Sequence, residues 1–299
     1  MFAIYTRRLA RIILELCLVL VLLLWGSEAQ AGPLTDRLAQ FPHWESKPPV
    51  TSPEGDLVYP DWLEGTWMVT STLVEQVAPL APEVVTPGFE GNRRYLNEPI
   101  AFLVRFIAIN PQPSTTSNRF VRLKMPSIGR SQTSHPDTTP IVVADRAFNG
   151  LNIAKAYLGD RIVQSVKVDP GSPNRQITFL NTGRQLVSMV TGRASETPEA
   201  DSVSDRKAIA MPGASMGSNR VPRFIATEVS NQFFRGTLQP YFNQVETTTA
   251  YHLRQSPTLA IEADQITAIY LSPQDPNYFK ALDQPVALYR YRLELRPRQ

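Results

Sequence analysis

The sequence predicts an all-β protein built as an antiparallel meander, and three observations support this prediction. Ten segments have the character of β-strands, and short turns such as residues 169–174 join most of them. Within these segments hydrophobic residues recur with a period of two, as in strands that bury one face. Helical periodicity is sparse. A meander of this length hides its edges when it closes into a barrel or folds into a sandwich.

Two strongly patterned strands are predicted in the first half of the chain. Residues 66–77 place Trp67 and Val69 on one face and Thr70 on the other. Residues 100–109 are apolar on both faces except at Arg105, which is typical of a central buried strand. Further candidates follow at residues 119–125, 161–168, 175–181, 185–191, 223–229, 245–254, 258–271 and 286–295.

The clearest alternation lies in residues 245–254, and residues 286–295 show a similar pattern. In residues 245–254, Tyr251 and Leu253 share one face and His252 lies on the other. Residues 286–295 alternate in the same way, with faces formed by Tyr289, Tyr291, Leu293 and Leu295 and by Arg290, Arg292 and Glu294. Such alternation is typical of half-buried antiparallel strands.

Short helices are predicted at only a few places. Residues 147–158 have a helical pattern, and residues 276–282 form a second candidate with Asp275 as its N-cap. A further short helix is expected within residues 34–41. These segments leave the fold class all-β.

We expect three regions along the chain. Residues 1–31 form a signal peptide, residues 32–63 a Pro-rich leader, and residues 64–299 a single β-barrel domain. Repeated prolines prevent helix and sheet pairing in the leader. Within the domain we expect two loop inserts, a partly ordered lid at 78–99 and a mobile segment at 193–222.

The N-terminus predicts export. Arg7, Arg8 and Arg11 precede an apolar run at residues 16–25, and residues 29–31 are Ala-Gln-Ala. A basic region, a short apolar run and a small-residue exit are typical of a secretory signal peptide. The run is short for a membrane span, although an uncleaved anchor beginning near Ile12 remains an alternative. Cleavage removes Cys17, which is the single cysteine, so the exported protein would have no thiol or disulfide.

Composition and charge exclude several function classes. The net charge is +3, and no run of basic residues is long enough to predict a nucleic-acid interface. His43, His135 and His252 are too scattered to predict a metal site, and no nucleotide-binding motif is present. We therefore expect no nucleic acid, metal or cofactor.

One short motif allows a hydrolase hypothesis. Residues 213–217 match the Gly-x-Ser-x-Gly pattern that exposes a nucleophilic serine between a strand and a helix. Here Pro212 precedes the motif, and neither a buried strand nor a helix adjoins it. No other catalytic constellation is found, so catalysis is the least favoured hypothesis.

The residues Gly65-Thr66-Trp67 carry a resemblance to a known fold. A Gly-x-Trp that enters the first strand resembles the opening motif of lipocalins and the wider calycin barrels. The resemblance implies a barrel of about 8–10 strands in which the tryptophan closes one end. It also implies that a late arginine stacks on the tryptophan ring, and Arg290 or Arg292 is the nearest match.

A longer pattern resembles a family of exported proteins of cyanobacteria and chloroplasts for which no activity is established. It comprises Tyr59-Pro60-Asp61-Trp62-Leu63-Glu64-Gly65-Thr66-Trp67, then Ala78-Pro79-Leu80, then Thr86-Pro87-Gly88-Phe89. The resemblance implies residence in the thylakoid lumen, with the periplasm as the other compartment that the signal peptide allows.

The leading functional hypothesis is non-catalytic binding of a small hydrophobic molecule, such as a lipid, pigment or isoprenoid, inside the barrel. A barrel of this size can hold one small ligand. Alternation predicts the lining residues Phe102, Val104, Arg105, Phe106, Tyr251, Tyr289 and Tyr291. The alternatives are a filled core, a structural ion pair at Arg105, and an assembly factor whose loops contact a membrane complex such as a photosynthetic one.

Overall fold

The structure is a computed structural model, and it describes residues 32–110, 139–198, 221–236, 241–254, 256 and 260–298. The strands are β1 (Val58–Tyr59), β2 (Gly65–Val77), β3 (Pro99–Ile109), β4 (Ile141–Ala144), β5 (Val163–Asp169), β6 (Ser172–Leu180), β7 (Gln185–Glu196), β8 (Arg223–Arg235), β9 (Tyr241–Leu253), β10 (Ile261–Leu271) and β11 (Ala287–Pro297). The helices are α1 (Pro33–Ala39), α2 (Phe89–Asn92), α3 (Arg146–Leu158) and α4 (Tyr278–Ala281).

All eleven of these strands belong to one antiparallel sheet. Its order is β1-β4-β3-β2-β11-β10-β9-β8-β7-β6-β5. Strands β5 to β11 form one meander, β2 to β4 form a second, and pairing of β2 with β11 joins them. The prediction of an all-β antiparallel meander is therefore confirmed.

The sheet curls into a half-barrel with a shared core on its inner face. Val69 of β2, Phe106 of β3 and Phe224 of β8 belong to one buried cluster, although β8 is a neighbour of neither β2 nor β3 in the sheet. The ring of Tyr59 bridges this gap, because its centroid lies 4.8 Å from that of Phe106 and 5.6 Å from that of Phe224. Helix α3 contacts β3 near one end of the sheet and β5 and β6 at the other.

The Gly-x-Trp motif fixes the start of β2. Gly65 has a φ of +130°, a conformation that residues with a side chain rarely adopt. Two residues later in β2, the Trp67 indole lies in the inner core, where its Nε1–H donates to the Leu63 carbonyl oxygen at 2.8 Å. This hydrogen bond satisfies the one polar atom of a buried indole ring.

The leader packs first on the outer face of the sheet. Helix α1 brings Arg37 to Glu246 of β9, and the two form a bidentate ion pair at 2.6 and 2.7 Å. Tyr270 of β10 donates to the same carboxylate at 2.6 Å, and Trp44 covers the pair. Glu246 is fully buried, so its charge depends on these partners.

The leader then passes to the inner face beside β7. Thr51 and Arg193 exchange backbone hydrogen bonds of 3.1 and 2.8 Å. Beyond this bridge Leu57, Tyr59 and Leu63 enter the inner core. Apart from the short helix expected within residues 34–41, which is α1, the Pro-rich segment was predicted to be irregular. It nevertheless contributes the short strand β1, which pairs with β4 at the edge of the sheet.

The element boundaries differ from the predictions in a few places. Strands β1 and β4 were not predicted, because two and four residues are too short to show a period of two. The helix expected at 276–282 is confined to α4, and the strand expected at 119–125 lies outside the described residues. In the 78–99 loop, Val84 and Phe89 are buried against the sheet.

We expect that Arg37→Ala destabilises the protein by about 3–5 kcal/mol, because it leaves the buried Glu246 carboxylate without its cationic partner. Urea unfolding followed by tryptophan fluorescence measures this change. Arg93→Ala is the matched control, since Arg93 pairs with Glu90 at the surface, and we expect a change below about 0.5 kcal/mol. Equal effects of the two substitutions would contradict the assigned role.

Candidate functional site

The residues predicted to line a ligand site lie on the inner face, with one exception. Phe106 and Tyr251 both contact Tyr59, with ring centroids 4.8 and 6.2 Å away, respectively. The same inner face carries Phe102, Val104, Tyr289 and Tyr291. Alternation therefore found the correct face of β3, β9 and β11.

At the Trp67 end, this inner face is filled by protein. Val104 and Phe106 are buried, and Leu57 and Leu63 of the leader pack against them. Sequence alternation did not predict this filling, because the leader residues come from outside the strand pattern. At this end, Phe102, Val104 and Phe106 therefore act as core residues.

Arg105 is the exception, since it points away from the inner core. Its guanidinium makes an ion pair of 2.6 Å with Asp145, which caps helix α3, and it lies 4.3 Å from the centroid of the Phe148 ring. The structural ion pair considered for Arg105 is thus present, and it connects β3 with the start of α3.

The structure separates Trp67 from the two arginines expected to stack on it. Residues alternate along β11, so Leu293 joins Trp67 in the inner core while Arg290 and Arg292 face outward. Arg290 pairs with Asp264 at 2.6 Å and lies over Phe41 of the leader, and Arg292 is exposed. The expected stacking is thus replaced by the hydrogen bond from the indole to the Leu63 carbonyl oxygen.

A buried charge network on the inner face was missed at the sequence level. The Oε1 atom of Glu228 accepts hydrogen bonds from Arg146 of α3 at 2.5 Å and from Arg193 of β7 at 2.6 Å. Arg146 also pairs with Asp56 of the leader, and Arg193 donates to the Gly55 carbonyl oxygen. Glu228 shares the inner face of β8 with Phe224, and this break in an apolar face was the available signal.

A cavity lies at the mouth of the half-barrel beside this filled end. Its volume is about 560 Å³, which is within the range of small-molecule sites. Its wall is mostly apolar and comes from the leader and from the ends of β7 and β8. The lining residues are Val58, Tyr59, Pro60, Trp62, Ser195, Thr197, Pro198, Val221, Pro222, Arg223 and Phe224.

Arg223 adds one unsatisfied polar group to this apolar wall. Its Nε atom is buried and has no hydrogen-bond partner in the described part of the chain. A buried donor without an acceptor costs free energy. Arg223 also lowers the pKa of the neighbouring His252, for which burial is the larger cause.

Two tyrosines at the cavity, Tyr59 in its wall and Tyr251 behind it, are held in the neutral form. Burial raises the pKa of Tyr251 to about 12, and burial also raises the pKa of Tyr59 well above its ordinary value. Neither ring therefore supplies a base near neutral pH. Their hydroxyl groups act as hydrogen-bonding groups rather than proton carriers.

Several predicted features lie outside the described residues or are absent within them. The Gly-x-Ser-x-Gly segment at 213–217, His135 and the signal segment are not described. Among the residues that are described, no group of three or more His, Cys, Asp or Glu side chains could hold a metal ion. No helix in the same part of the chain is long and apolar enough to cross a membrane.

The architecture defines the protein as an all-β, half-barrel protein with an apolar cavity at its mouth. Residues 52–206 and 214–299 match the family model for a domain of unknown function, DUF6816, and the chain belongs to this family. A search of curated proteins finds no match, and a search of solved structures finds none either.

We expect the free energy of unfolding to fall as the pH rises from about 10 to about 12, because Tyr251 ionises in the unfolded chain before it does so in the folded protein. One such group contributes a slope of about 1.4 kcal/mol per pH unit. Tyr251→Phe removes this contribution, and urea unfolding across this pH range measures it. Tyr278→Phe, at the surface helix α4, is the control, and an equal flattening there would contradict the assignment.

Proposed function

We propose that this protein binds a small hydrophobic molecule, without catalysis, in the cavity at the mouth of its half-barrel. The observation that carries the proposal is the cavity of about 560 Å³ whose wall contains Tyr59, Trp62 and Phe224. Burial of apolar surface against such a wall is the main driving force for binding a lipid, pigment or isoprenoid. The site differs from the expected one, because the predicted lining residues Phe106 and Tyr251 support the wall from behind.

Arg223 suggests the polar feature of the ligand. The unsatisfied Nε–H group favours a molecule with a carboxylate or carbonyl oxygen at one end of its apolar body. No carboxylate belongs to the described residues that line the cavity, so an acidic end group meets no repulsion there. The proposed ligand is therefore an amphiphile with one oxygen-bearing end.

The proposal includes a closed form of the fold and an exported location. Helix α3 contacts strands near both ends of the sheet, and this supports a lipocalin-like barrel in which the helix completes the wall. The signal-peptide pattern supports export to the thylakoid lumen or the periplasm. The closed barrel rests on these helix contacts and on the lipocalin resemblance, and the exported location rests on the signal-peptide pattern. Mass spectrometry that identifies the N-terminal residue of the purified protein tests the exported location.

We expect Val58→Trp to weaken binding of a fluorescent fatty acid by about tenfold or more, because the indole would occupy the cavity. Val58 lines the cavity and is 47 % exposed, so the substitution should leave the core intact. Val85→Trp is the matched control, since Val85 is 43 % exposed and does not line the cavity. Fluorescence titration of both variants measures the change, and unaltered binding in Val58→Trp would overturn the proposal.

A second prediction concerns Arg223. The wild-type protein should bind palmitate about tenfold more tightly than hexadecanol, because only the acid offers a carboxylate to the guanidinium group. Arg223→Ala should remove this preference and leave hexadecanol binding nearly unchanged. Arg254→Ala is the control, since Arg254 pairs with Glu262 outside the cavity. A preference that survives Arg223→Ala would exclude Arg223 as the polar anchor.

An assembly factor that contacts a membrane complex is the second candidate, and one observation favours it. Phe279 of helix α4 and Leu282, which follows the helix, are 83 % and 54 % exposed. They lie beside the 78–99 loop, whose Val85 is also exposed. Exposed apolar residues in one region mark an interaction surface. Co-purification of a stoichiometric partner, lost on Phe279→Ser, together with failure of fatty-acid binding, would favour this function.

A further inference from the structure

A second cavity, which we call the amide groove, lies on the outer face of the sheet. Its volume is about 510 Å³. It is formed by β7, β8 and β9 together with the chain that follows β10. The lining residues are Lys47, Val187, Met189, Asn231, Gln232, Phe233, Phe242, Asn243, Gln244, Leu271, Ser272, Pro273, Gln274 and Tyr278.

Carboxamide side chains form much of the polar part of this lining. Asn231 and Gln244 lie on the outer face of β8 and β9 beside Phe233 and Phe242, Gln274 follows β10, and no carboxylate belongs to the described lining. Gln232 and Asn243 also border the groove, but they alternate with these residues, so their side chains lie on the inner face. A carboxamide offers both donors and an acceptor, and a hydroxyl group likewise donates and accepts. A wall of this kind is complementary to a molecule that carries several hydroxyl groups.

Two of these amides leave hydrogen-bonding groups unmatched. Gln244 Nε2 donates to Asn231 Oδ1 at 3.0 Å, and Gln244 Oε1 is buried without a partner in the described part of the chain. Asn231 is exposed, and its Nδ2 group makes no hydrogen bond to another described residue. After a small rotation of the Gln244 side chain, neighbouring hydroxyl groups could pair with this acceptor and this donor.

An aromatic pair forms the apolar side of the groove. Phe233 and Phe242 stack across β8 and β9 with their centroids 4.1 Å apart and their planes 10° apart. The Arg235 guanidinium lies 5.0 Å from the Phe233 ring centroid. The exposed surface of this aromatic pair can pack against the C–H face of a sugar ring, which needs contact with only one aromatic surface.

The charge of the groove is balanced. Lys47 is the one cationic residue in the described lining, and its Nζ atom pairs with Asp283 at 3.0 Å. A phosphate or carboxylate group would have to compete with this ion pair. The lining thus favours an uncharged ligand.

We propose that the amide groove binds a neutral saccharide through Asn231, Gln244 and the Phe233–Phe242 pair. The same chemistry is offered by a free oligosaccharide and by the sugar head group of a glycolipid. The groove lies on the opposite face of the sheet from the residues at the centre of the mouth cavity, so this activity does not depend on the function proposed above.

The test measures binding of the mature chain to two kinds of probe. Calorimetry uses lactose, maltose and sucrose, and vesicle sedimentation uses phosphatidylcholine with and without a neutral galactosyl diacylglycerol. Asn231→Ala and Gln244→Ala should each weaken binding by about tenfold. Gln40→Ala removes an exposed amide outside the groove and is the matched control. Thermal unfolding of every variant confirms that the fold is retained.

The results of these binding experiments distinguish a free oligosaccharide, a glycolipid head group and a ligand that is not a saccharide. Binding of a soluble sugar that falls in both groove variants supports a free oligosaccharide, and sedimentation only with the glycolipid supports a head group at a membrane surface. Tight binding of adenosine without binding of any sugar would show that the groove recognises a planar heterocycle. That result, the absence of binding to all probes, or binding that is unchanged in both groove variants would overturn the proposal.

Discussion

The ion pair between Arg37 and Glu246 is the interaction on which the arrangement of the molecule depends. It fixes the leader to the outer face of the sheet at a point where the carboxylate has no access to water. From this ion pair the leader continues to the bridge between Thr51 and Arg193 and then enters the inner core. There the Tyr59 ring contacts both β3 and β8. Since a buried carboxylate without its partner is strongly unfavourable, the leader cannot detach at low cost.

The leader also builds part of each candidate binding site. Lys47 lines the amide groove, and Tyr59 and Trp62 line the mouth cavity. The sheet supplies only part of the wall of each site, and a second element laid against it supplies the rest. Here that element is the irregular Pro-rich segment, whose prolines hold it extended and prevent it from adding to the sheet as a long strand.

Three arginines of the inner network and of β3 act as connectors between elements rather than as a surface for an anionic polymer. Arg146 and Arg193 meet at Glu228, and this places the start of helix α3 against β7, β8 and the leader. Arg105 and Asp145 connect the same helix to β3. No residue of α3 is fully buried, and these ion pairs hold the helix against the sheet together with half-buried side chains such as Tyr157, which contacts Phe102 and Ser71.

The sequence by itself determined the secondary structure and the inward face of most strands, because a period of two in hydrophobicity directly reflects burial of one face. It predicted β2, β3, β5, β6 and β9 to β11 to within about four residues, and it placed Trp67, Tyr251 and Tyr291 on the correct face. It ended β7 and β8 five and six residues too early, because their C-terminal parts carry polar residues that were taken for loop. It could not show that Tyr59 and Leu63 fill that face, or that Arg290 stacks on Phe41 instead of Trp67. These contacts join residues far apart in the chain, and only the curl of the sheet and the path of the leader bring them together.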